Sequence, residues 1–394
     1  MLSDYFFEQL QVQFDHQLPF VAFKKPDTTV IKGLLQEDDQ LHYSLDFTES
    51  GFVFAPFDSE NDTFLLPFEN ASIITHDFVK GNSNGPSNHI DHSKNEQKEF
   101  HIDLVQKGIE AINQGSFKKV VLSRCEAVET SDTNPINLFK RLLDTYPTAF
   151  VYCWYHPKVG LWLGATPETL LSIRGNRLKT MALAGTQAFE GATDVVWKEK
   201  EREEQQIVTD FIIENLRESV GRSQYSVGSL QSSVASVHSS DLKIEVSEQH
   251  TVRAGNLLHL KTDIELQLTS GTKALKPILD ALHPTPAVCG FPKHRAKNFI
   301  IEHEGYPREF YAGFLGELNL KESRTRNTNR RNVENNAYGV SKTVSNLYVN
   351  LRCMQIKNDT VQIYVGGGIT KDSDAELEWE ETVHKSQIIK RVLI

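Results

Sequence analysis

The first 78 residues alternate short apolar runs with turn-forming residues, as in ESGFVFAPFD and DTFLLPFENASIITHDF. Such runs between turn residues are typical of strands, and they predict several strands of an antiparallel sheet. The polar stretch GNSNGPSNHIDHSKNEQ, from Gly81 to about Gln97, follows and predicts a solvated linker or loop. Its two histidines, His89 and His92, are expected to be solvated rather than to bind a metal ion.

The middle of the chain mixes helical and strand patterns. Ile102, Val105, Ile109 and Ile112 recur at helical spacing, and Gly115 is expected to end that helix before the strand FKKVVLS. Two further runs, AFVYCWYH and LWLGATPETLLSI, predict a strand pair joined by a proline-containing turn, and RLKTMALAGTQ predicts another strand. Interspersed strands and helices of this kind predict an α+β fold.

Two segments are predicted to be surface insertions. The first is the serine-rich run from Ser223 to Ser240, and the second is the basic run from Lys321 to Lys342. The basic run could contact an acidic partner, but a mobile, solvated loop is the favoured interpretation.

A helical pattern from Trp197 to about Leu216 places two carboxylates among its apolar positions. At about 100° per residue, Glu201 and Glu204 fall on the apolar stripe, whereas Glu203 points away. This stripe consists of Val208, Phe211, Ile212 and Leu216.

The C-terminal helix repeats this arrangement. Ser373 and Glu376 predict a capping box at its start. Three charged residues are predicted to project onto its apolar face: Glu378, Glu381 and Lys385. The apolar stripe itself is formed by Ile388, Ile389 and Val392.

Carboxylates on a buried face need a compensating cation, a protonation change or hydrogen bonds. One interpretation places these glutamates at exposed helix ends, paired with Lys198, Lys200 or Lys385. Because the pattern occurs on both helices, we favour a shared metal site for a hard divalent ion. Magnesium fits best, since it accepts a few carboxylates and keeps waters or substrate oxygens. Lys385 would then be available to a substrate anion.

Other candidate groups lie on strands. Alternation in FKKVVLSR puts Lys118 and Lys119 on opposite faces, so that one of them points inward and is a candidate general base, but periodicity alone does not choose between them. Glu168, after a proline in a strand-like context, is a candidate general acid if burial raises its pKa; an ordinary edge glutamate is the alternative.

A glycine run is the last candidate. Gly366, Gly367 and Gly368 are predicted to lie between a strand and the turn that leads to the last helix. Their backbone N–H groups could hold an anion, although tight packing of a turn would explain them almost as well. The spacing does not match a dinucleotide-binding fingerprint.

Composition narrows the function classes. The chain has 394 residues, 39% of them hydrophobic, and a formal net charge of -10, which disfavours binding to nucleic acids and to anionic membranes. A small-molecule substrate fits better. The N-terminal stretch carries acidic residues, and nowhere do 18 apolar residues run together. We therefore expect a cytoplasmic enzyme.

From residue 100 to residue 394, ten segments in order resemble the chorismate-utilising enzymes, the isochorismate, salicylate, anthranilate and aminodeoxychorismate synthases. These segments are KVVLSR, LGATPETLL, ALAGT, EKEREEQ, HLKT, LHPTPAVCGFP, REFYAGFLGEL, NLRCM, GGGI and ELEWEETVHK. The resemblance implies one large α+β domain of layered antiparallel sheets flanked by helices. Residues 1–99 would be a strand-rich part of the same fold plus a linker, and residues 100–394 the catalytic region. Gln205 departs from the family, which commonly has histidine there.

The resemblance also implies site residues. The metal ligands would be Glu201, Glu204, Glu378 and Glu381, with Mg²⁺ bridging to the ring carboxylate of chorismate. Lys119 would be the base that activates water, and Glu168 the acid that protonates the leaving hydroxyl. The substrate would be bound by Gly185, Thr186, His259, Ala287, Tyr311, Arg352, Gly366, Gly367, Gly368 and Lys385.

Three positions point to one branch of this family. Anthranilate synthases typically lack the lysine found at Lys119. Aminodeoxychorismate synthases typically carry a nucleophilic lysine where this chain has Ala184, and amine-adding and salicylate-forming members usually carry threonine at Ala287. The resemblance thus implies an isochorismate synthase, an isomerase that needs no obligatory glutamine amidotransferase partner.

Three rival functions remain open at this stage. A salicylate synthase would add pyruvate elimination in the same site. A non-catalytic metal-binding or ligand-binding module would keep the fold without the chemistry. A two-carboxylate glycoside hydrolase would need neither a metal ion nor Lys385.

Overall fold

The fold is taken from a computed structural model of the chain. The two histidines of the polar stretch and most of both predicted insertions lie outside the ranges that it describes. The described residues are 2–78, 95–130, 132–223, 243–255, 257–268, 275–324 and 340–393.

Helices lie between the strands along the chain. In the described ranges none of them has the length and apolar character needed to cross a membrane. They are α1 (Leu2–Asp15), α2 (Asn95–Asn113), α3 (Pro135–Thr145), α4 (Glu199–Ser223), α5 (Lys276–Leu282), α6 (Lys293–His303) and α7 (Ala375–Lys390), with a short 3-10 helix at Phe68–Asn70.

The described strands form two antiparallel sheets, which agrees with the predicted α+β fold of layered antiparallel sheets. The nine-stranded sheet has the spatial order β15 (Gly290–Phe291), β7 (Lys119–Glu129), β19 (Thr360–Ile369), β18 (Cys353–Lys357), β9 (Gly160–Thr166), β8 (Phe150–His156), β1 (Phe20–Lys24), β2 (Val30–Gln36) and β6 (Ala71–Asp77). The ten-stranded sheet has the order β12 (Ile244–Val246), β14 (Leu257–Gln267), β11 (Arg177–Ala188), β10 (Thr169–Arg174), β17 (Val340–Val349), β16 (Phe314–Arg324), β4 (Gly51–Ala55), β5 (Phe64–Pro67) and β3 (His42–Tyr43), with β13 (His250–Ala254) also paired to β14.

An aromatic cluster joins the two sheets. Phe54 on β4 stacks on Phe310 with ring centroids 4.1 Å apart, and its ring also lies 4.9 Å from Trp154 on β8 and 6.0 Å from Trp162 on β9. All four side chains are buried in one core. Large aromatic rings bury much apolar surface at little loss of rotamer freedom, so this cluster contributes strongly to the packing of one sheet on the other.

Strand β8 of the nine-stranded sheet is covered on both faces, which explains its nearly unbroken run of apolar and aromatic residues. Phe150, Tyr152 and Trp154 point into the core between the sheets. Val151 and Cys153 point to a second core, which α1, α3 and the end of α7 cover. Successive strand residues face opposite sides, so a strand covered on both sides needs an unbroken apolar run.

The N-terminal prediction was incomplete. The structure has strands there, but it begins with α1, whose Phe6, Phe7 and Leu10 are buried in the second core. The strands also belong to two sheets rather than one: β1 pairs with β8, while β4 pairs with β16. Long-range pairing decides this division, and periodicity carries no information about it.

Of two further predicted boundaries, one agrees with the structure and one does not. The helix before Gly115 is α2, as expected, and Gly115 has φ +78°. The predicted strand LWLGATPETLLSI instead breaks at Pro167 into β9 and β10, which belong to different sheets. Proline has no N–H to donate and favours such a break.

The basic insertion is shorter than predicted. β16 continues to Arg324 and β17 begins at Val340, so Lys321 and Lys342 both belong to strands, where Lys321 pairs with Thr343 and Lys342 with Glu322. Ser223, the first residue of the predicted serine-rich segment, is the last residue of α4.

Candidate active site

A cavity of about 140 Å³ lies among β7, β11, β14, β19, α4 and α7. Of the sixteen residues predicted for the site, all except Gly367 and Glu378 line this cavity. Residues from separate parts of the chain therefore meet around one concave space, which is the usual form of a small-molecule site.

Lys119, the first residue of β7, points inward and is only 2% exposed, whereas Lys118 is exposed. The structure thus chooses between the two lysines that the pattern left open. Nζ of Lys119 lies 3.8 Å from Oε2 of Glu204 on α4. The lysine on the sheet therefore lies next to a carboxylate of the helix in the cavity wall.

The glycine run lies inside β19 rather than between a strand and a turn, so that prediction was wrong. A Cβ at Gly368 would lie 3.0 Å from Cε of Lys119 and 3.2 Å from Oε1 of Glu204, and one at Gly367 would lie 3.3 Å from Oε2 of Glu378. These glycines leave room for charged side chains. The Gly366 carbonyl oxygen accepts a hydrogen bond of 2.9 Å from Lys385.

Glu168 occupies the short connection between β9 and β10, where the chain passes from one sheet to the other. Its N–H donates to Oγ1 of Thr166 at 3.3 Å, and its carbonyl oxygen accepts from the N–H of Val349 at 3.0 Å. Burial raises the pKa of the Glu168 carboxyl to about 8, although Lys119 and Arg352 act in the opposite direction. Near neutral pH this carboxyl carries a proton.

Arg352 and His259 form a hydrogen-bonded pair in the cavity wall. A guanidinium nitrogen of Arg352 donates to Nε2 of His259 at 2.7 Å, and the other ring nitrogen, Nδ1, lies 2.9 Å from the Gly185 carbonyl oxygen. Burial lowers the pKa of Arg352 to about 10, which leaves it cationic near neutral pH. Burial and the Arg352 charge lower the pKa of His259 to about 3, so the imidazole is neutral.

The carboxylates of α4 take the predicted orientation. Glu204 is buried and Glu203 is exposed, as the periodicity indicates, and Glu201 is half-buried. Burial raises the pKa of Glu204, and Lys119 and Lys200 oppose that effect.

Gln205, next to these carboxylates, does not line the cavity. It is buried, and its amide donates to Oγ1 of Thr262 on β14 at 2.8 Å and to Oγ1 of Thr209 at 3.0 Å. This departure from the family pattern therefore attaches α4 to the sheet.

A hydrogen bond and an ion pair with β7 hold α7 in place. Arg124 donates from Nε to Oγ1 of Thr382 at 2.9 Å, and Nζ of Lys390 lies 2.6 Å from Glu126. The N-cap of α7 is Asp374, whose side chain accepts from the N–H of Leu377, so the predicted capping box of Ser373 and Glu376 was wrong.

Both α7 glutamates of the predicted set are paired with lysines. Nζ of Lys200 on α4 lies 2.5 Å from Oε1 of Glu378, and Nζ of Lys385 lies 2.6 Å from Oε1 of Glu381. Burial would raise the pKa of Glu381, but Lys385, Lys200 and Lys119 together outweigh it and the pKa is lowered. The lysine pairs that the alternative interpretation expects are therefore present. Glu378, however, is only 3% exposed, so it does not lie at an exposed helix end as that interpretation expects.

Lys200 is a cavity residue that the sequence interpretation left out of the site. Burial acts to lower its pKa, but Glu378, Glu204 and Glu381 together outweigh this effect and the pKa is raised. A signal was available, because Lys200 precedes Glu204 by four residues and therefore lies on the same face of α4.

The carboxylate set fits a hard divalent cation in its chemistry. Oε2 of Glu201 and Oε2 of Glu378 are buried carboxylate oxygens with no hydrogen-bond partner, and such oxygens are the ligands that Mg²⁺ prefers. Over the described ranges, no three carboxylate, histidine or cysteine side chains are already grouped as a metal site. The lysines hold two of the carboxylates instead.

Four remaining predicted residues complete the cavity wall. Gly185 has φ +73°, a backbone conformation that glycine adopts without strain, and a Cβ there would lie 3.0 Å from Cβ of Glu201. Tyr311 stacks on Tyr364 with ring centroids 5.4 Å apart. Thr186 and Ala287 also line the cavity.

Two protein-family models match most of the chain. A family model described as "Chorismate binding enzyme" matches residues 68–324, and a second, described as "chorismate binding enzyme", matches residues 339–391.

Individual relatives include more than one kind of enzyme. The chain is 26% identical over 301 residues to isochorismate synthase MenF of Escherichia coli (strain K12), covering 74% of this chain and 59% of that protein. It is 27% identical over 305 residues to anthranilate synthase component 1 of Aquifex aeolicus, covering 75% of this chain and 53% of that protein. The chain thus spans little more than half the length of these relatives.

The fold also matches a solved structure over nearly its full length. A crystal structure described as a putative 2,3-dihydroxybenzoate-specific isochorismate synthase, DhbC from Bacillus anthracis, superposes with a TM-score of 0.72 and 21% identity. The match covers 98% of this chain and 99% of that chain. At this identity the similarity concerns the fold.

Proposed function

The chain belongs to the family of chorismate binding enzymes, and from this premise we propose that it is an isochorismate synthase. This isomerase adds water at C2 of chorismate and expels the C4 hydroxyl. One observation supports the proposal most: two buried ionisable side chains, Lys119 and Glu168, reach one cavity from separate elements. The reaction needs one acid and one base.

Glu168 is the proposed acid. Its pKa of about 8 means that the carboxyl carries a proton near neutral pH, and a carboxylic acid can donate that proton to a leaving hydroxyl. The connection between the two sheets holds its backbone, so the proton donor has a defined position.

Lys119 is the proposed base. The step requires Lys119 as the neutral amine, which accepts a proton from the attacking water while Glu168 releases one to the departing hydroxyl. The two proton transfers then balance, and no electrons are exchanged. The nearby carboxylate of Glu204 can stabilise the ammonium group that results.

The substrate carries two carboxylates, and the cavity offers cations and N–H groups to them. We assign Arg352 and Lys385 to these anions, with His259 orienting Arg352. The β19 backbone at Gly366, Gly367 and Gly368 lies beside Lys385. Gly185, Thr186, Tyr311 and Ala287 would complete the substrate-binding wall.

Magnesium is the proposed metal cofactor, held by Glu201, Glu204, Glu378 and Glu381. When bound, it would offset the negative charge of the ring carboxylate of chorismate. The unpaired oxygens of Glu201 and Glu378 support this assignment.

Two small side chains favour isochorismate formation over the other reactions of the family. Ala184 lines the cavity at the position where aminodeoxychorismate synthases typically carry a nucleophilic lysine, and alanine offers no nucleophile. Ala287 also lines the cavity, where amine-adding and salicylate-forming members usually carry threonine. Since water is the nucleophile, we propose no amidotransferase partner. A cytoplasmic location also stays a prediction.

The test is a chromatographic assay of chorismate with the purified protein and Mg²⁺. We expect isochorismate from the wild-type protein, and loss of turnover by about 10²-fold or more in Lys119→Ala and Glu168→Gln. Lys118→Ala is the matched control, because Lys118 is exposed beside Lys119.

Retained isochorismate production in Lys119→Ala would contradict the assignment. Salicylate with pyruvate as products would identify a salicylate synthase instead. Absence of any chorismate consumption with excess Mg²⁺ would indicate a non-catalytic binding module, and full activity in the presence of a chelator would exclude the metal.

A further inference from the structure

Lys200 is a charged residue of the cavity to which the proposed reaction gives no role. It lies in the first turn of α4, and its Nζ is 2.5 Å from Oε1 of Glu378 on α7. This ion pair joins the two helices that carry the four glutamates. The Lys200 side chain is 28% exposed, whereas Glu378 is 3% exposed.

The same carboxylate has one oxygen paired and one unpaired. Oε1 of Glu378 binds the Lys200 ammonium group, while Oε2 is buried without a partner. A divalent cation on this carboxylate would lie within a few ångströms of the ammonium group. Two cations at that separation repel each other, and the repulsion is large where water is scarce.

Lys385, the other lysine paired with a glutamate of the predicted metal site, makes more contacts than Lys200. Lys385 pairs with Glu381 on its own helix and also donates to the Gly366 carbonyl oxygen at 2.9 Å. Among the hydrogen bonds of the described residues, Lys200 donates through Nζ to Glu378 alone. Detaching Lys200 therefore breaks one ion pair, while detaching Lys385 also leaves a backbone carbonyl without its donor.

We propose that Lys200 is an internal counter-ion of the metal site, which binds Glu378 and joins α4 to α7 until a divalent cation displaces it. Lys200 thus competes with the metal for a carboxylate and weakens metal binding. When no metal is bound, Lys200 neutralises the buried carboxylate of Glu378. A buried carboxylate without a counter-ion would lower the stability of the fold. This inference rests on the magnesium site of the proposed function.

The test compares Lys200→Met with Lys198→Met, using the full chain without chorismate. Methionine keeps most of the length of the side chain and removes its charge. Lys198 is exposed two residues away on the same chain segment, so its variant loses the same formal charge. Isothermal titration with MgCl₂ alone measures the affinity.

Lys200→Met should bind Mg²⁺ about tenfold more tightly than the wild-type protein, which corresponds to about 1.4 kcal/mol, while Lys198→Met should stay near the wild-type value. Equal or weaker binding in Lys200→Met would overturn the inference. So would an equal gain in both variants, because that would be a general charge effect. Failure of every form to bind Mg²⁺ would overturn it as well.

Thermal unfolding gives a second readout that does not depend on activity. In a chelator, Lys200→Met should unfold at a lower temperature than the wild-type protein, because Glu378 has lost its cation. Added Mg²⁺ should raise the unfolding temperature of Lys200→Met more than that of the wild type, since a tighter ligand stabilises more. An equal rise in both would count against competition.

The wild-type protein offers a third readout if Lys200→Met does not fold. Acetylation of lysines, followed residue by residue by mass spectrometry, should become faster at Lys200 on addition of MgCl₂, with Lys198 as the internal reference. An unchanged rate at Lys200 would overturn the displacement. Isochorismate production with no such change would contradict this inference alone, whereas displacement without any turnover would contradict the proposed reaction.

Discussion

Arg352 donates a hydrogen bond of 2.7 Å to Nε2 of His259, and this contact determines the tautomer of the imidazole. A guanidinium group can only donate, so Nε2 accepts and Nδ1 carries the proton. Nδ1 lies 2.9 Å from the Gly185 carbonyl oxygen and donates to it. The neutral imidazole therefore links the arginine to the backbone of β11.

His259→Leu should raise KM by roughly tenfold or more with a smaller effect on kcat, because a buried charged group loses a hydrogen-bond acceptor and its orientation. Steady-state kinetics with chorismate measure both constants. His250→Leu is the matched control, since His250 is exposed on the adjacent strand β13. A fall in kcat at unchanged KM would show instead that His259 acts on the reacting atoms.

Glu168 should make the free energy of unfolding depend on pH. Its folded-state pKa of about 8 lies above the ordinary value of 4.5. Its contribution to stability is therefore fully present below the unfolded pKa and is lost as pH rises through the folded pKa. Urea unfolding from pH 4 to pH 9 should show the wild-type protein losing stability relative to Glu168→Gln.

The control for that series is Glu199→Gln, at an exposed glutamate at the start of α4. The difference between wild type and Glu199→Gln should not follow the same pH trend. A constant difference between wild type and Glu168→Gln over this range would contradict a protonated Glu168.

Two glycines of β19 should respond differently to alanine. A Cβ at Gly368 meets Cε of Lys119 at 3.0 Å and the carboxylate of Glu204, which are the ends of flexible side chains. Gly368→Ala should therefore keep the fold and lower kcat/KM by about 10²-fold, through displacement of Lys119.

In Gly366→Ala the new Cβ would lie 2.8 Å from the Leu122 carbonyl oxygen, which belongs to the backbone and yields less readily. Gly366→Ala should therefore cost roughly 1–3 kcal/mol of stability. Urea unfolding and the chorismate assay together separate the two variants. Equal losses of stability in both would contradict the distinction.

The buried pair of Glu304 and Arg308 should contribute to stability because it holds β7 beside the cavity. Glu304 accepts hydrogen bonds from the N–H and Oγ of Ser123 at 2.7 and 2.9 Å, and Arg308 donates to the Val121 and Val288 carbonyl oxygens. Glu304→Gln leaves the Arg308 charge buried without its counter-ion and should cost about 3–5 kcal/mol.

An exposed ion pair provides the control for this prediction. Glu376 pairs with Lys98 at 2.9 Å on the surface, so Glu376→Gln should change the free energy of unfolding by about 1 kcal/mol or less. Urea unfolding measures both variants. A loss in Glu304→Gln no larger than that in Glu376→Gln would mean that the buried pair is replaceable by neutral hydrogen bonds.

The buried faces of α4 and α7 were predictable from the sequence because each side chain's direction on a helix follows from its position in the helical period. Glu204 is buried and Glu203 exposed, as expected. The same reasoning missed the start of α7, where Asp374 rather than Ser373 caps the helix. Both residues are good caps, and the choice between them depends on the path of the preceding turn.

The position of Glu168 was less predictable. The run LWLGATPETLLSI reads as one strand, and only the assignment of β9 and β10 to different sheets shows that Glu168 lies at a crossing between sheets. The α1 helix was missed in the same way, because its burial depends on the sheet that it covers.

By itself the sequence determined the family resemblance, the orientation of the paired glutamates and the inward position of either Lys118 or Lys119, since these depend on residue order and local periodicity. Only the tertiary structure decided that Lys119 is the inward one, and that Lys200 meets Glu378 across 178 positions of the chain. Such contacts follow from how distant elements pack. No local pattern encodes the cation that a buried carboxylate will meet.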